Sequence, residues 1–156
     1  MTFEELEVWR RTSILLNWGL RWQQLEMATF TFQNILAWQK AHEFTKLVYE
    51  ITKEFPEDEK FGLTSQFRRA AVSIGANIAE GYKKLSKADK LRFLNISEGS
   101  MAECMNYIIL SKDLKMIDEI QYNQLKDSIE SAGKLLTAYC NGIINNNAMN
   151  KWKAFV

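Results

Sequence analysis

The sequence is poor in the residues that build reaction centres. It holds one histidine, His42, two cysteines, Cys104 and Cys140, and one proline, Pro56, in 156 residues. A single imidazole excludes a histidine-rich metal centre and the repeated Glu-x-x-His pattern of di-iron bundles, so neither metal nor cofactor is expected. His42 reads as surface or core filler rather than as a general base. Neither cysteine has a histidine partner, and both fall in apolar helical patterns where a free thiol behaves as a small hydrophobe. Gly62, Gly75, Gly81 and Gly99 stand singly, so no phosphate-cradling glycine loop is present. Strand signals are absent. No apolar run approaches the length of a membrane span and no secretory leader is recognisable, which predicts a reduced, cytoplasmic protein without a membrane partner. Twenty basic residues against nineteen acidic give a net charge of +1 and no global attraction to nucleic acid.

What remains is helix. Hydrophobic residues make up 47% and charged residues 25%, and the length suits one domain with a sizeable core. Ala37, Ala41, Phe44, Val48, Ile51 and Phe55 alternate spacings of four and three, predicting a first bundle helix over 33–54. Pro56 should end it. Leu63, Phe67, Ala70, Ile74 and Ile78 stack on one face of a second helix, expected to close near Gly81 with a left-handed cap. Ser86 and Asp89 resemble a capping box opening a third helix that runs to about Met116. That helix has two apolar stripes: Leu91, Leu94, Met101, Met105 and Ile108, then Phe93, Ile96, Tyr107, Leu110 and Leu114. One bundle core does not consume both, which suggests an oligomer interface, and Gly99-Ser100 would admit a neighbouring backbone. Tyr122, Leu125, Ile129, Ala132, Leu136, Tyr139 and Ile143 mark a fourth helix from Asp118 to Ile144. The expected fold is all-α, an up-down-up-down antiparallel four-helix bundle over 32–145 with an additional N-terminal helical segment.

Beside the apolar face of the second helix runs a polar stripe of Gln66, Arg69, Ser73, Asn77 and Glu80. Its structural reading has these groups satisfying one another, with Glu80 the counter-charge of an arginine; its functional reading is a groove for a small ligand or RNA. Gly62-Leu63-Thr64-Ser65-Gln66-Phe67-Arg68-Arg69-Ala70-Ala71, Ser73-Ile74 and Asn77-Ile78-Ala79-Glu80-Gly81-Tyr82 together resemble the signature of the bacterial four-helix bundle proteins of 23S rRNA intervening sequences. Phe55-Pro56, Glu59, Phe61-Gly62, Arg92-Phe93-Leu94, Gly99-Ser100 and Glu103 extend the likeness, which covers roughly 32–145. Gly75 departs from it, standing where such sequences often have proline. The resemblance implies no known catalysis. It implies homopentameric assembly, and a distant branch serves diversity-generating retroelements as an accessory protein that binds reverse transcriptase and nucleic acid.

Residues 1–31 form an N-terminal extension that partly echoes the first bundle helix. Phe3, Leu6, Val8, Trp9 and Arg11 match Phe32, Ile35, Ala37, Trp38 and Lys40 at an offset of 29. A duplication that leaves a spare helix start accounts for this, and so does translation of upstream sequence ahead of a start at Met27. Residues 146–156 read as a fraying tail.

Charge supplies the functional candidate. From Gln66 to Arg92 the sequence has seven basic residues, Arg68, Arg69, Lys83, Lys84, Lys87, Lys90 and Arg92, against two acidic ones. Such a cluster is a candidate nucleic-acid-binding surface, strengthened if several subunits repeat it, and its plain alternative is a solvated face. The leading expectation is a non-catalytic homo-oligomer that binds RNA or a ribonucleoprotein. The alternative is a scaffold that recruits a protein such as a reverse transcriptase. An enzyme reading requires a pocket gathering Arg69, Asn77 and Glu80.

Overall fold

The spacing of apolar residues reappears as four helices in the computed structural model, which describes residues 31–145. The helices are α1 (Leu36–Ile51), α2 (Leu63–Lys83), α3 (Lys87–Asp113) and α4 (Glu119–Asn145), with short 3-10 turns at Thr31–Asn34 and Glu57–Glu59. The expected N-terminal extension, Thr31 apart, and the tail lie outside the described residues. α1 and α3 each pack against both α2 and α4, which closes an antiparallel four-helix bundle. Among the described residues there is no strand, and no helix is long and apolar enough to cross a membrane.

The core follows the seams read from sequence. Ala37, Ala41, Phe44, Val48, Ile51 and Phe55 are all buried, as are Leu63, Phe67, Ala70, Ile74 and Ile78 of α2. Leu125, Ile129, Ala132 and Leu136 supply the α4 side, with Tyr122, Tyr139 and Ile143 packed at its margins. Each large side chain so buried contributes about 1.5–3 kcal/mol relative to exposure. α3 differs from its siblings because hydroxyls share its inner face. Ser97, Ser100 and Ser111 are buried there beside Leu94, Met101, Cys104 and Ile108. Ser97 Oγ donates to the Ile74 carbonyl at 2.9 Å, tying α3 to α2 across the core.

Local chemistry sets the boundaries. α1 stops at Ile51, short of the expected Glu54, because Lys53 and Glu54 turn their N–H groups to carbonyls three residues back in a tightened last turn. No side chain at Gly62 caps α2; instead Glu59 Oε2 accepts from Leu63 N–H at 2.8 Å, placing a carboxylate at the helix's positive end. The predicted left-handed cap at Gly81 is not there. α2 runs on to Lys83, and no glycine among the described residues has positive φ. Gly81 serves close packing: a Cβ there would lie 3.1 Å from Phe93 Cβ and 3.3 Å from the Lys90 carbonyl oxygen. Ser86 caps α3 by accepting from Asp89 N–H at 3.0 Å, but Asp89 answers through the serine hydroxyl rather than its backbone N–H.

α3 ends at Asp113 instead of Met116. Met116 N–H reaches the Ser111 carbonyl and Lys115 N–H the Lys112 carbonyl, a Schellman closure with Lys115 at φ 58 where glycine is usual. Asp118 and Gln121 then exchange side-chain-to-backbone bonds of 2.7 and 3.0 Å, a reciprocal capping box that opens α4.

Candidate functional site

The polar stripe of α2 divides into parts with separate tasks. Asn77 Nδ2 donates to the Ser73 carbonyl and hydroxyl at 2.8 and 3.0 Å, and Ser73 Oγ meets Ser100 Oγ of α3 at 2.9 Å. These three side chains stitch two helices together. Glu80 does not pair with an arginine. It bonds Lys84 at 3.0 Å, one turn along the same helix, because its four-residue spacing brings them together on the exposed face. Gln66 is exposed.

The basic residues fall into two groups. Arg68 and Arg69 sit near the start of α2 and Lys83 and Lys84 at its last residue and C-cap, about 21–24 Å away at about 1.5 Å per residue. At the far end the lysines mostly serve the fold. Lys87 Nζ donates to the Ile144 carbonyl in the last turn of α4, and Lys90 Nζ to the Tyr82 carbonyl of α2 at 2.7 Å. Both satisfy carbonyls that a helix C-terminus leaves open. Burial holds the Lys90 ammonium below its ordinary pKa, opposed by the Tyr82 hydroxyl. Lys84 lies over the Phe93 ring at 4.4 Å and Arg92 over the same ring at 5.9 Å. Lys83 is exposed, with its ammonium 5.8 Å from the Tyr82 ring centroid.

The arginines line a depression of about 610 Å³ on the flank of α2. Tyr49 of α1 forms one wall, Lys60 and Phe61 the rim, and Thr64, Ser65, Arg68, Arg69, Val72 and Ser73 the side along α2. Among the described residues no aspartate or glutamate lines it. Arg68 is preset: its Nε donates to buried Thr52 Oγ1 at 2.7 Å and its guanidinium covers the Tyr49 ring at 4.9 Å. Arg69 is exposed and makes no hydrogen bond or ion pair. Its charge nonetheless reaches Tyr107 of α3, whose phenol is raised above its ordinary pKa by the 2.7 Å bond to Glu103, with Arg69 pulling the other way.

Sequence reasoning named Arg68, Arg69 and Ser73 of this lining and missed the rest. Tyr49 precedes Arg68 by nineteen positions on another helix, so no local spacing joins them. Asn77 and Glu80 are not among the residues that line the depression with Arg69. His42 is exposed and stacked on Trp38 at 5.0 Å. Burial pushes the Cys104 thiol up to about 12, with Glu103 adding to it, and burial with Glu98 raises Cys140. Both thiols stay protonated near neutrality and are poor nucleophiles. Among the described residues no group of histidine, cysteine or carboxylate side chains is placed to hold a metal ion.

Fold and surface thus define an antiparallel four-helix bundle with a basic depression on the flank of its second helix. The chain belongs to the 23S rRNA-intervening sequence protein family, whose model matches residues 33–138. A solved structure from Bacteroides thetaiotaomicron, described as a protein with unknown function from the S23 ribosomal protein family, is similar to it. The likeness has 27% identity and a TM-score of 0.62, covering 67% of this chain and 98% of that one. No curated protein matches the chain.

Proposed function

We propose that the protein is a non-catalytic, self-associating bundle that binds RNA, or RNA within a ribonucleoprotein, through its basic residues. The observation that carries this reading is the lack of acidic partners. Of the seven cations singled out, only Lys84 pairs with a carboxylate among the described residues. Unpaired cations keep their full attraction for phosphates, and assembly repeats them around one surface. Self-association draws support from the outer stripe of α3, where Ile96, Leu110 and Leu114 remain 41%, 40% and 51% exposed. Five copies is the number the family resemblance implies.

The test is fluorescence anisotropy with a structured RNA, comparing the native chain with a variant carrying Arg68→Gln, Arg69→Gln, Lys83→Gln and Arg92→Gln. The expected result is binding that weakens as salt rises, with a shallower salt slope in the variant. Binding of equal strength and slope in both proteins refutes the reading.

The same exposed stripe favours a second reading, a scaffold that docks a protein partner such as a reverse transcriptase on α3. Ile96→Glu with Leu110→Glu separates the two. Loss of self-association leaves the stripe to the protein's own copies, whereas an unchanged mass leaves it open for a partner.

A further inference from the structure

The depression beside α2 has features that a merely solvated face does not need. Among the described residues its lining brings together three cations, Lys60, Arg68 and Arg69, and no carboxylate. Arg68 is held by Thr52 and Tyr49 through its Nε and its flat face, and neither terminal nitrogen makes a hydrogen bond, which leaves the fork free for two parallel bonds to an oxyanion. Arg69, one residue on, leaves its guanidinium equally uncommitted. The hydroxyls of Ser65 and Thr64 complete the polar lining. Thr64 is only 6% exposed, and its Oγ1 is the one buried side-chain polar atom among the described residues that lacks a hydrogen-bond partner. Thr64 stands in the first turn of α2, where no helical carbonyl lies a turn earlier to take its proton, so no protein group accounts for this buried hydroxyl beside the cations.

The rim adds a second kind of recognition. Phe61 is 87% exposed, the most exposed phenylalanine among the described residues, and it stands at the mouth of the depression with Lys60 Nζ 5.9 Å from its ring. An aromatic ring left in water gains little from the fold; its open face suits stacking with a flat ring. Forked cations beside an open aromatic face match a phosphate joined to an aromatic base. The volume of about 610 Å³ falls within the range of small-molecule sites.

We infer that this depression is a nucleotide-phosphate site, with Arg68 and Arg69 holding the phosphate and Phe61 stacking on the base. The ligand is either a free mononucleotide or the phosphorylated end of a nucleic acid strand, since both present the same chemistry. The site does not depend on the wider RNA reading, because a mononucleotide does not reach the Lys83 end of the bundle.

Calorimetric titration of the full chain with adenosine 5′-monophosphate, inorganic phosphate, and a short oligonucleotide with and without a 5′-phosphate tests it. Two variants, Arg69→Gln and Phe61→Ala, alter exposed side chains and leave the fold intact, as thermal melts will confirm. Mononucleotide binding that falls about tenfold in each variant supports the site, with phosphate alone weakened by Arg69→Gln but not by Phe61→Ala. Binding of the 5′-phosphorylated oligonucleotide alone assigns the site to strand ends. Absence of binding by both the mononucleotide and the 5′-phosphorylated oligonucleotide, or binding that both variants retain, overturns the inference. Failure of the structured-RNA experiment above, with mononucleotide binding intact, removes the wider RNA reading and leaves this site standing.

Discussion

Gly81 and Gly99 sit inside long helices, yet alanine should act on them in opposite directions. Alanine in a helix interior is favoured over glycine by about 1 kcal/mol, and nothing at Gly99 opposes that gain, since no atom lies within 4 Å of where its Cβ would be. At Gly81 the new methyl meets Phe93 Cβ at 3.1 Å and the Lys90 carbonyl oxygen at 3.3 Å, neither of them the free end of a flexible side chain. Overpacking of this kind costs about 1–3 kcal/mol, which cancels or exceeds the helical gain. Gly99→Ala should therefore be more stable than the native protein by about 1 kcal/mol, and Gly81→Ala less stable by about as much. The difference of about 2 kcal/mol corresponds to a separation of several degrees in Tm for a chain of this size. Urea titration at one fixed subunit concentration measures it, because self-association adds to apparent stability. Equal midpoints for the two variants would refute the claim that α2 and α3 touch backbone to backbone at Gly81.

Thr64→Val replaces an unpartnered buried hydroxyl by a methyl of the same shape and should raise stability by about 1 kcal/mol in urea; a loss of that size means the hydroxyl has a partner. Lys115→Gly relieves a left-handed residue at the end of α3 and should stabilise by about 1 kcal/mol, against a loss if the lysine side chain matters there. The Cys104 thiol, lifted to about 12, should resist iodoacetamide at pH 8 until the protein unfolds, while partly buried Cys140 reacts sooner. Because the unfolded thiol ionises near its ordinary pKa and the folded one does not, Cys104 stabilises the fold fully below pH 9 and progressively less as pH climbs towards 12. Cys104→Ser should flatten that alkaline decline, and an unchanged slope there contradicts the assignment.

Helix periodicity made the architecture legible, because each seam residue on α1, α2 and α4 announces itself as apolar at a repeat of three and four. α3 was harder. Its inner face uses Ser97, Ser100 and Ser111, which read as surface in sequence and are buried only because carbonyls of the same and the neighbouring helix accept their hydroxyls. Cap chemistry was legible at Ser86 but went unread at Asp118 and Gln121, and nothing marks Lys115 as a left-handed residue. Nor does glycine announce its purpose: Gly81 reads as a helix end, and only the adjoining backbone of α3 shows that it is a contact. For the candidate site, charge counting found the cations and not their company. Local excess said nothing of Lys87 and Lys90 being engaged by helix ends, nor of Tyr49 crossing from α1 to hold Arg68.

The most direct test of the central claim is the light-scattering mass of the full chain run with a structured RNA at about 0.1 M and 0.5 M salt, a span over which phosphate contacts weaken steeply. The account predicts a multiple of 18.2 kDa joined to RNA at low salt, and the same multiple separated from RNA at high salt. A particle of 18.2 kDa that elutes apart from RNA at both concentrations would contradict it.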